Sequence, residues 1–381
     1  MKVIYPDTSG DQYKIGEFGT SNTTWSMASS MRSLGHHPMI IAPYLSNEYP
    51  NHEVLVRTYR ISKLARRNIV GLIYNHIRLA LEINSHCQEF DLIHTRDYLE
   101  AAILERFCRL PVVVTVAGNP QERASKNLPY FDPITSRVYE VASKLVASGK
   151  CHVIVSSKYM EKWWGITGVP SHRLTQIPLG VDTTLYSHRH DSRKRLCWSD
   201  NTAHLLYVGR LIPKLKGLET LISAMAILTS KINIHLHLVG DGAATNMLRQ
   251  QIAELGLTSH IHMYGWALQK ELPDYYSAAD LCILLSHSEG FGRTMLECMS
   301  CGTAFLGTPI GGMKDHLIDG ENGFVLPEVS SHEIAEKVES ILSDRQTLHK
   351  VAKNGHRYVV QNLAWTPIMK QVSEKVYASL L

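Results

Sequence analysis

The sequence is poorest in the features that tie a chain to a membrane, a metal or a disulfide framework. No apolar run approaches the ~18 residues of a spanning helix, and no cleavable signal pattern opens the chain, so a cytoplasmic setting is the expectation. The 7 cysteines, Cys87, Cys108, Cys151, Cys197, Cys282, Cys298 and Cys301, are scattered and odd in number, which favours reduced thiols. Cys298 and Cys301 form a Cys-x-x-Cys without a second pair or neighbouring ligand set, and both read as packing residues of a helix. No metal ligands are assigned. Asp-x-Asp is absent, which leaves a metal-held diphosphate without candidate ligands; Gly-x-x-x-x-Gly-Lys-Ser/Thr, His-Glu-x-x-His and Gly-x-Ser-x-Gly are absent too. Gly240-Asp-Gly242 stops short of a dinucleotide fingerprint, because Thr245 stands where the third glycine belongs. With a net charge of only +4 and no recognition module, the chain offers nothing to nucleic acid.

What is present is the alternation of an α/β protein. At 381 residues the length suits two domains of roughly 180 residues each. Apolar runs such as Leu281-Cys-Ile-Leu-Leu285 read as buried parallel strands. Glu289 then falls in the loop at a strand's carboxyl end, where open α/β sheets bind ligands, and Glu297, after seven intervening residues, falls about two turns into the next helix. Gly290 and Gly292 let backbone approach a ligand, and the amides opening the helix suit phosphate. A plainer reading of the same segment is a solvated helix start with carboxylates against its dipole. The segment Leu205-Leu-Tyr-Val-Gly-Arg210 likewise predicts a strand, followed by a turn bearing Arg210, Lys214 and Lys216 and then a helix over 218–228. If both strands share one sheet, these cations meet the glutamates, and fixed cations beside glycine amides stabilise charge growing on a departing diphosphate.

These motifs resemble the retaining, nucleotide-sugar-dependent glycosyltransferases of the GT-B fold, glycosyltransferase family 4. Further landmarks follow in the family's order: Met1-Lys-Val-Ile-Tyr5, the glycine loop at 16–19, His235-Leu-His-Leu-Val-Gly240, Met263-Tyr-Gly265-Trp266, Gly311-Gly312 and Asn322-Gly323-Phe324. The resemblance implies two doubly wound, Rossmann-like α/β domains facing across a cleft. Residues 1–182 form the acceptor-binding domain, completed by a C-terminal helix over 366–381, and residues 183–365 form the nucleotide-sugar donor domain. It further implies that Arg210 and Lys216 neutralise the leaving diphosphate, helped by the backbone of Gly290, Phe291 and Gly292. Glu289 binds donor-sugar hydroxyls, Glu297 grips the ribose, Trp266 lies beside the base or else packs in the core, and Gly19 lies on a first-domain loop facing the diphosphate. The cationic turn holds one residue more than is usual, so either Lys214 or Lys216 is the phosphate ligand. Ala117 stands where the family commonly has a histidine, which either alters the sugar preference or leaves Asn119 as a substitute sugar contact.

The implied partners are a nucleotide-sugar donor, with a UDP-sugar ahead of GDP-mannose, and a small-molecule, glycan or lipid-linked acceptor. No cofactor or metal is expected. His94 and Asp97, at a strand end of the first half, are candidates for acceptor contact or base assistance, with strand-end capping as the plain alternative. Arg57, Arg60, Lys63, Arg66 and Arg67 make a basic cluster that fits a solvated helical face or an anionic acceptor, and secondarily a peripheral lipid contact. A non-catalytic nucleotide-sugar scaffold or sensor, or a GT-B epimerase, is the alternative activity.

Overall fold

The computed structural model describes residues 1–6, 19–43, 54–59, 69–116 and 133–381. Two compact units are present, one of Met1–Leu179 with Trp365–Leu381 and one of Gly180–Ala364. Asn119, and Arg60 to Arg67 of the basic cluster, lie outside the described residues. Among those described, no helix is long and apolar enough to cross a membrane.

The first unit holds a seven-stranded sheet built from β1 (Lys2–Pro6), β2 (His37–Pro43), β3 (Leu55–Tyr59), β4 (Leu92–Thr95), β5 (Val112–Val116), β6 (His152–Val155) and β7 (Leu174–Gln176). Its order is β3-β2-β1-β4-β5-β6-β7, with every pairing parallel. The central strands are buried from end to end, as the run Val112-Val-Val-Thr-Val116 shows, because helices cover both faces. Local chemistry starts the helices: Asp97 Oδ1 accepts the Leu99 and Glu100 amides to open Tyr98–Phe107, and Ser157 accepts the Met160 amide to open Lys158–Thr167.

The second unit repeats the plan with β8 (Ala203–Val208), β9 (Ile234–Val239), β10 (Ile261–Gly265), β11 (Leu281–Leu284), β12 (Ala304–Gly307) and β13 (Phe324–Val325). The order β10-β9-β8-β11-β12-β13 is again parallel throughout. Strand order reverses between β8 and β11, so the loops leaving these two strands part in opposite directions and leave a crevice at their carboxyl ends.

The chain's last segment belongs to the first unit. Tyr377, in the helical stretch after Trp365–Val372, joins its hydroxyl to that of Tyr5 at 3.0 Å and to His94 Nδ1 at 2.5 Å. His94 Nε2 meets Thr115 Oγ1 at 2.7 Å, so a single imidazole links β4, β5 and the C-terminal helix. This corrects the expectation for His94: it is 1% exposed and both ring nitrogens are engaged inside the fold, leaving neither for an acceptor. Asp97 resolves to capping, with its second oxygen accepting from the Tyr139 hydroxyl at 3.0 Å.

Burial, reinforced by the charges of Arg96 and His152, lowers the His94 pKa to about 3. The unfolded chain takes up this proton near pH 6.5, so the stability His94 provides is complete above that pH and is lost as pH falls toward 3. Urea unfolding of the first unit should therefore lose about 2 kcal/mol more between pH 7 and pH 5 in the wild type than in His94→Gln. Parallel pH profiles for the two proteins would remove His94 as an acid-sensitive group.

Candidate functional site

The site is built at the strand-order reversal of the second unit. After β8 the Gly209 amide bonds to Val239 O at 3.0 Å, and the Tyr207 hydroxyl donates to Arg210 O at 2.9 Å, which fixes the start of the turn and leaves the Arg210 side chain exposed. Leu211 and Ile212 then dip into the core. Lys214 adopts the left-handed conformation (φ +58°), and its amide donates to Glu219 Oε1 at 2.9 Å. Gly217 follows at φ +65°, where a Cβ would lie 2.5 Å from Leu285 O; no other residue lets the turn approach the end of β11 so closely. The His287 amide closes the contact by donating to Leu215 O at 2.8 Å.

Stitched in this way, the two loops bring Lys216 onto Glu289. The ammonium pairs with Glu289 Oε1, and the Ser286 hydroxyl donates to the same oxygen at 3.0 Å. Of the two candidate lysines, Lys216 meets the carboxylate, whereas the Lys214 side chain is exposed. The glutamate's backbone is held from the other side, where a Cβ on Gly311 would lie 2.1 Å from Glu289 O and one on Gly312 would lie 2.4 Å from the buried Phe291 ring. Gly292 (φ +92°) caps the helix Arg293–Ser300, and the Thr294 hydroxyl donates back to Val208 O at 3.0 Å, tying this helix to the end of β8.

Glu297 lies on that helix and is 7% exposed. The Tyr276 hydroxyl donates to its Oε2 at 2.9 Å, and the Arg293 guanidinium stands 3.6 Å from Oε1. Burial pushes the Glu297 carboxyl above the usual carboxylate range, with the Arg293 charge and the Tyr276 hydrogen bond opposing the shift. The Tyr186 phenol is raised by its own burial and further by the charge of this carboxylate.

The remaining candidates are placed less centrally. Trp266 follows the edge strand β10 and is 55% exposed, two strands from β8. Gly19, in the other unit, opens the helix Gly19–Ser33. Cys298 and Cys301 are buried and free, and the Cys298 thiol contacts Thr303 O at 3.3 Å, so both pack as expected. Sequence reasoning passed over Ser286 and Thr294, three residues before Glu289 and Glu297 respectively, and gave Tyr276 no role. It also passed over His204, His235 and His237, although His235-x-His237 and His260-x-His262 each repeat with the strand period.

Comparison with known proteins identifies the class to which this fold belongs. The model of Glycosyltransferase Family 4 matches residues 19–185 and that of Glycosyl transferases group 1 matches residues 188–358. An uncharacterized glycosyltransferase of Methanocaldococcus jannaschii is 26% identical over 74% of each chain, and a second from that organism is 22% identical over 100% of this chain and 99% of its own. The alpha-D-kanosaminyltransferase of Streptomyces kanamyceticus is 25% identical over 76% of each chain. Among solved structures, sucrose-phosphate synthase from Thermosynechococcus elongatus superposes with a TM-score of 0.81 at 22% identity, covering 100% of this chain and 98% of that one. Anabaena HepE, solved with UDP and glucose, gives a TM-score of 0.78 at 22% identity, covering 99% and 100%. Fold and matched families together define a glycosyltransferase of the GT-B class. The chain belongs to glycosyltransferase family 4.

The Tyr276 bond gives a direct test of how Glu297 is held. Tyr276→Phe should lower the stability of the second unit by about 1.5–3 kcal/mol, the usual weight of a hydrogen bond to a charged group, measured by urea unfolding at pH 7. Unchanged stability would show that the hydroxyl does not support the buried carboxylate.

Proposed function

We propose that the protein transfers a hexosyl-type sugar from a UDP-sugar to a hydroxyl acceptor, with retention at the anomeric carbon and without a metal ion. The observation that carries this reading is the convergence of Lys216 and Glu289 at the β8–β11 crevice, beside the helix that bears the buried Glu297. Arg210 and Lys216 supply fixed positive charge for the diphosphate as its bond to the sugar breaks, which is the chemistry a metal would otherwise provide. A diphosphate reaching Lys216 replaces one anionic partner by another, and Glu289 is then turned to the hydroxyls of the sugar. Glu297 accepts from the ribose hydroxyls, with Tyr276 setting the direction of its second oxygen. Trp266 offers an exposed ring to the base.

Support for the donor comes from HepE, whose structures contain UDP, glucose and UDP-glucose. Among the described residues none at the crevice stands out as a covalent nucleophile, so retention is assigned to attack from the face that the departing phosphate leaves. A cytoplasmic setting fits the 7 free cysteines.

Purified protein should release UDP from a UDP-sugar in the presence of EDTA when a suitable acceptor is supplied, and NMR should find the donor's anomeric configuration kept in the product. Glu289→Gln and Arg210→Ala should each reduce turnover by at least about a hundredfold while the thermal unfolding midpoint stays close to wild type. Tight UDP binding without turnover on any acceptor, unaffected by either substitution, would move the protein to the class of nucleotide-sugar sensors.

A further inference from the structure

One face of the second unit's sheet carries a group of imidazoles that sugar transfer does not use. His204 on β8 stands in register with His235 on β9, and His262 on β10 stands in register with His237. His235 and His237 are two residues apart in one strand and so share a face. One nitrogen from each of His204, His235 and His237 lies within 4.8 Å of the others. Trp198 covers the group, stacking on His237 with ring centroids 3.6 Å apart and planes inclined by 17°.

The proton positions follow from the two ends of a hydrogen-bond chain. His204 Nε2 faces the Ser199 carbonyl at 2.8 Å; a carbonyl only accepts, so this nitrogen carries the proton and Nδ1 keeps a lone pair. Nδ1 therefore accepts from His237 Nε2 at 2.9 Å, and His237 Nδ1 in turn accepts from the Tyr264 hydroxyl at 3.0 Å. The Trp198 indole, a donor only, closes the chain on the Tyr264 oxygen at 3.0 Å. With both rings neutral, the lone pair of His204 points at the nitrogen of His237.

We propose that His204, His235 and His237 bind one divalent transition-metal ion, zinc above all, as a structural clamp between β8 and β9. Three neutral imidazoles without thiolate or carboxylate suit zinc, copper or nickel rather than magnesium or calcium. The outer groups that orient metal-bound imidazoles are in place: the Ser199 carbonyl takes the His204 proton, and the Tyr264 oxygen stands at His237 Nδ1. On binding, the His237 proton passes from Nε2 to Nδ1, where the Tyr264 oxygen accepts it, and Tyr264, which is 39% exposed, turns its own proton to solvent. Charge apart from the ion is unchanged. His204 and His237 separate by about half an ångström to admit an ion with tetrahedral bonds near 2.0–2.1 Å, and water completes the shell. His204 and His235 stand second in their strands and His237 fourth, with His204 about 20 Å along the chain from Arg210, so the ion takes no part in the transfer chemistry.

The test uses the full chain, stripped of metal with a chelator and dialysed, then titrated with zinc against a chromophoric competitor. One equivalent should bind with a micromolar or tighter dissociation constant, cobalt should give the visible absorption of a tetrahedral site, and zinc should raise the unfolding temperature. His235→Ala, which removes a half-exposed ligand, and His204→Gln should each weaken binding at least about tenfold, while the exposed His349→Ala leaves it unchanged. Absence of a stoichiometric site, or equal affinity in all three variants with wild-type circular dichroism, would overturn the proposal and assign any uptake to scattered surface histidines.

Discussion

Everything at the crevice depends on how closely two strand ends can lie when their loops leave in opposite directions. The backbone itself fills the space above β8, β9 and β11. A Cβ on Gly240 would stand 1.9 Å from Gly209 O, and the positions already noted at Gly217 and Gly311 are nearly as tight against Leu285 O and Glu289 O. All three glycines have positive φ, so sterics and backbone conformation exclude side chains together. The result is a framework in which Lys216 and Glu289 have little freedom to drift apart, because each leaves a loop whose carbonyls are packed against its neighbour's.

That framework decides what the ion pair can do. With side-chain exposures of 13% and 18%, Lys216 and Glu289 are screened less than surface charges and hydrated less than either would choose alone. In such surroundings an unpaired charge is costly, while exchange of one anion for another is not. A cation held here by a single carboxylate, whose bonded oxygen also accepts the Ser286 hydroxyl, is therefore well prepared to change partners. Glu297 contrasts with it: one helix away, burial raises its pKa and Tyr276 holds it in one direction, which suits recognition of neutral hydroxyls better than exchange of charge.

Much of this plan could be read from residues alone. Buried parallel strands announce themselves as continuous apolar runs, so the place of Glu289 after Leu281–Leu284 and of Arg210 after Ala203–Val208 was legible. The choice between Lys214 and Lys216 was not, because it turns on a left-handed residue whose amide is caught by Glu219 and on a contact with a strand end some 70 residues further along the chain. His94 misled for a similar reason. Its position at a strand end suggested chemistry, but its partner Tyr377 lies 283 residues downstream, and no local pattern reports that distance.

The two buried imidazole systems show what period alone leaves out. A polar side chain every second residue usually marks a strand's wet face, yet His237 and His204 are each 1% exposed. What permits their burial is a closed set of donors and acceptors, ending at an indole that can only donate and a carbonyl that can only accept. Neutral rings in such a chain escape the cost of burying charge, and they also hold their lone pairs in fixed directions. His94 has no such terminus: its neighbours Tyr377 and Thr115 are hydroxyls able to act either way, so its tautomer is free to follow the network around it. Fixed lone pairs on adjacent strands are the prerequisite for coordinating an ion, and only the second unit's sheet has arranged them among the described residues.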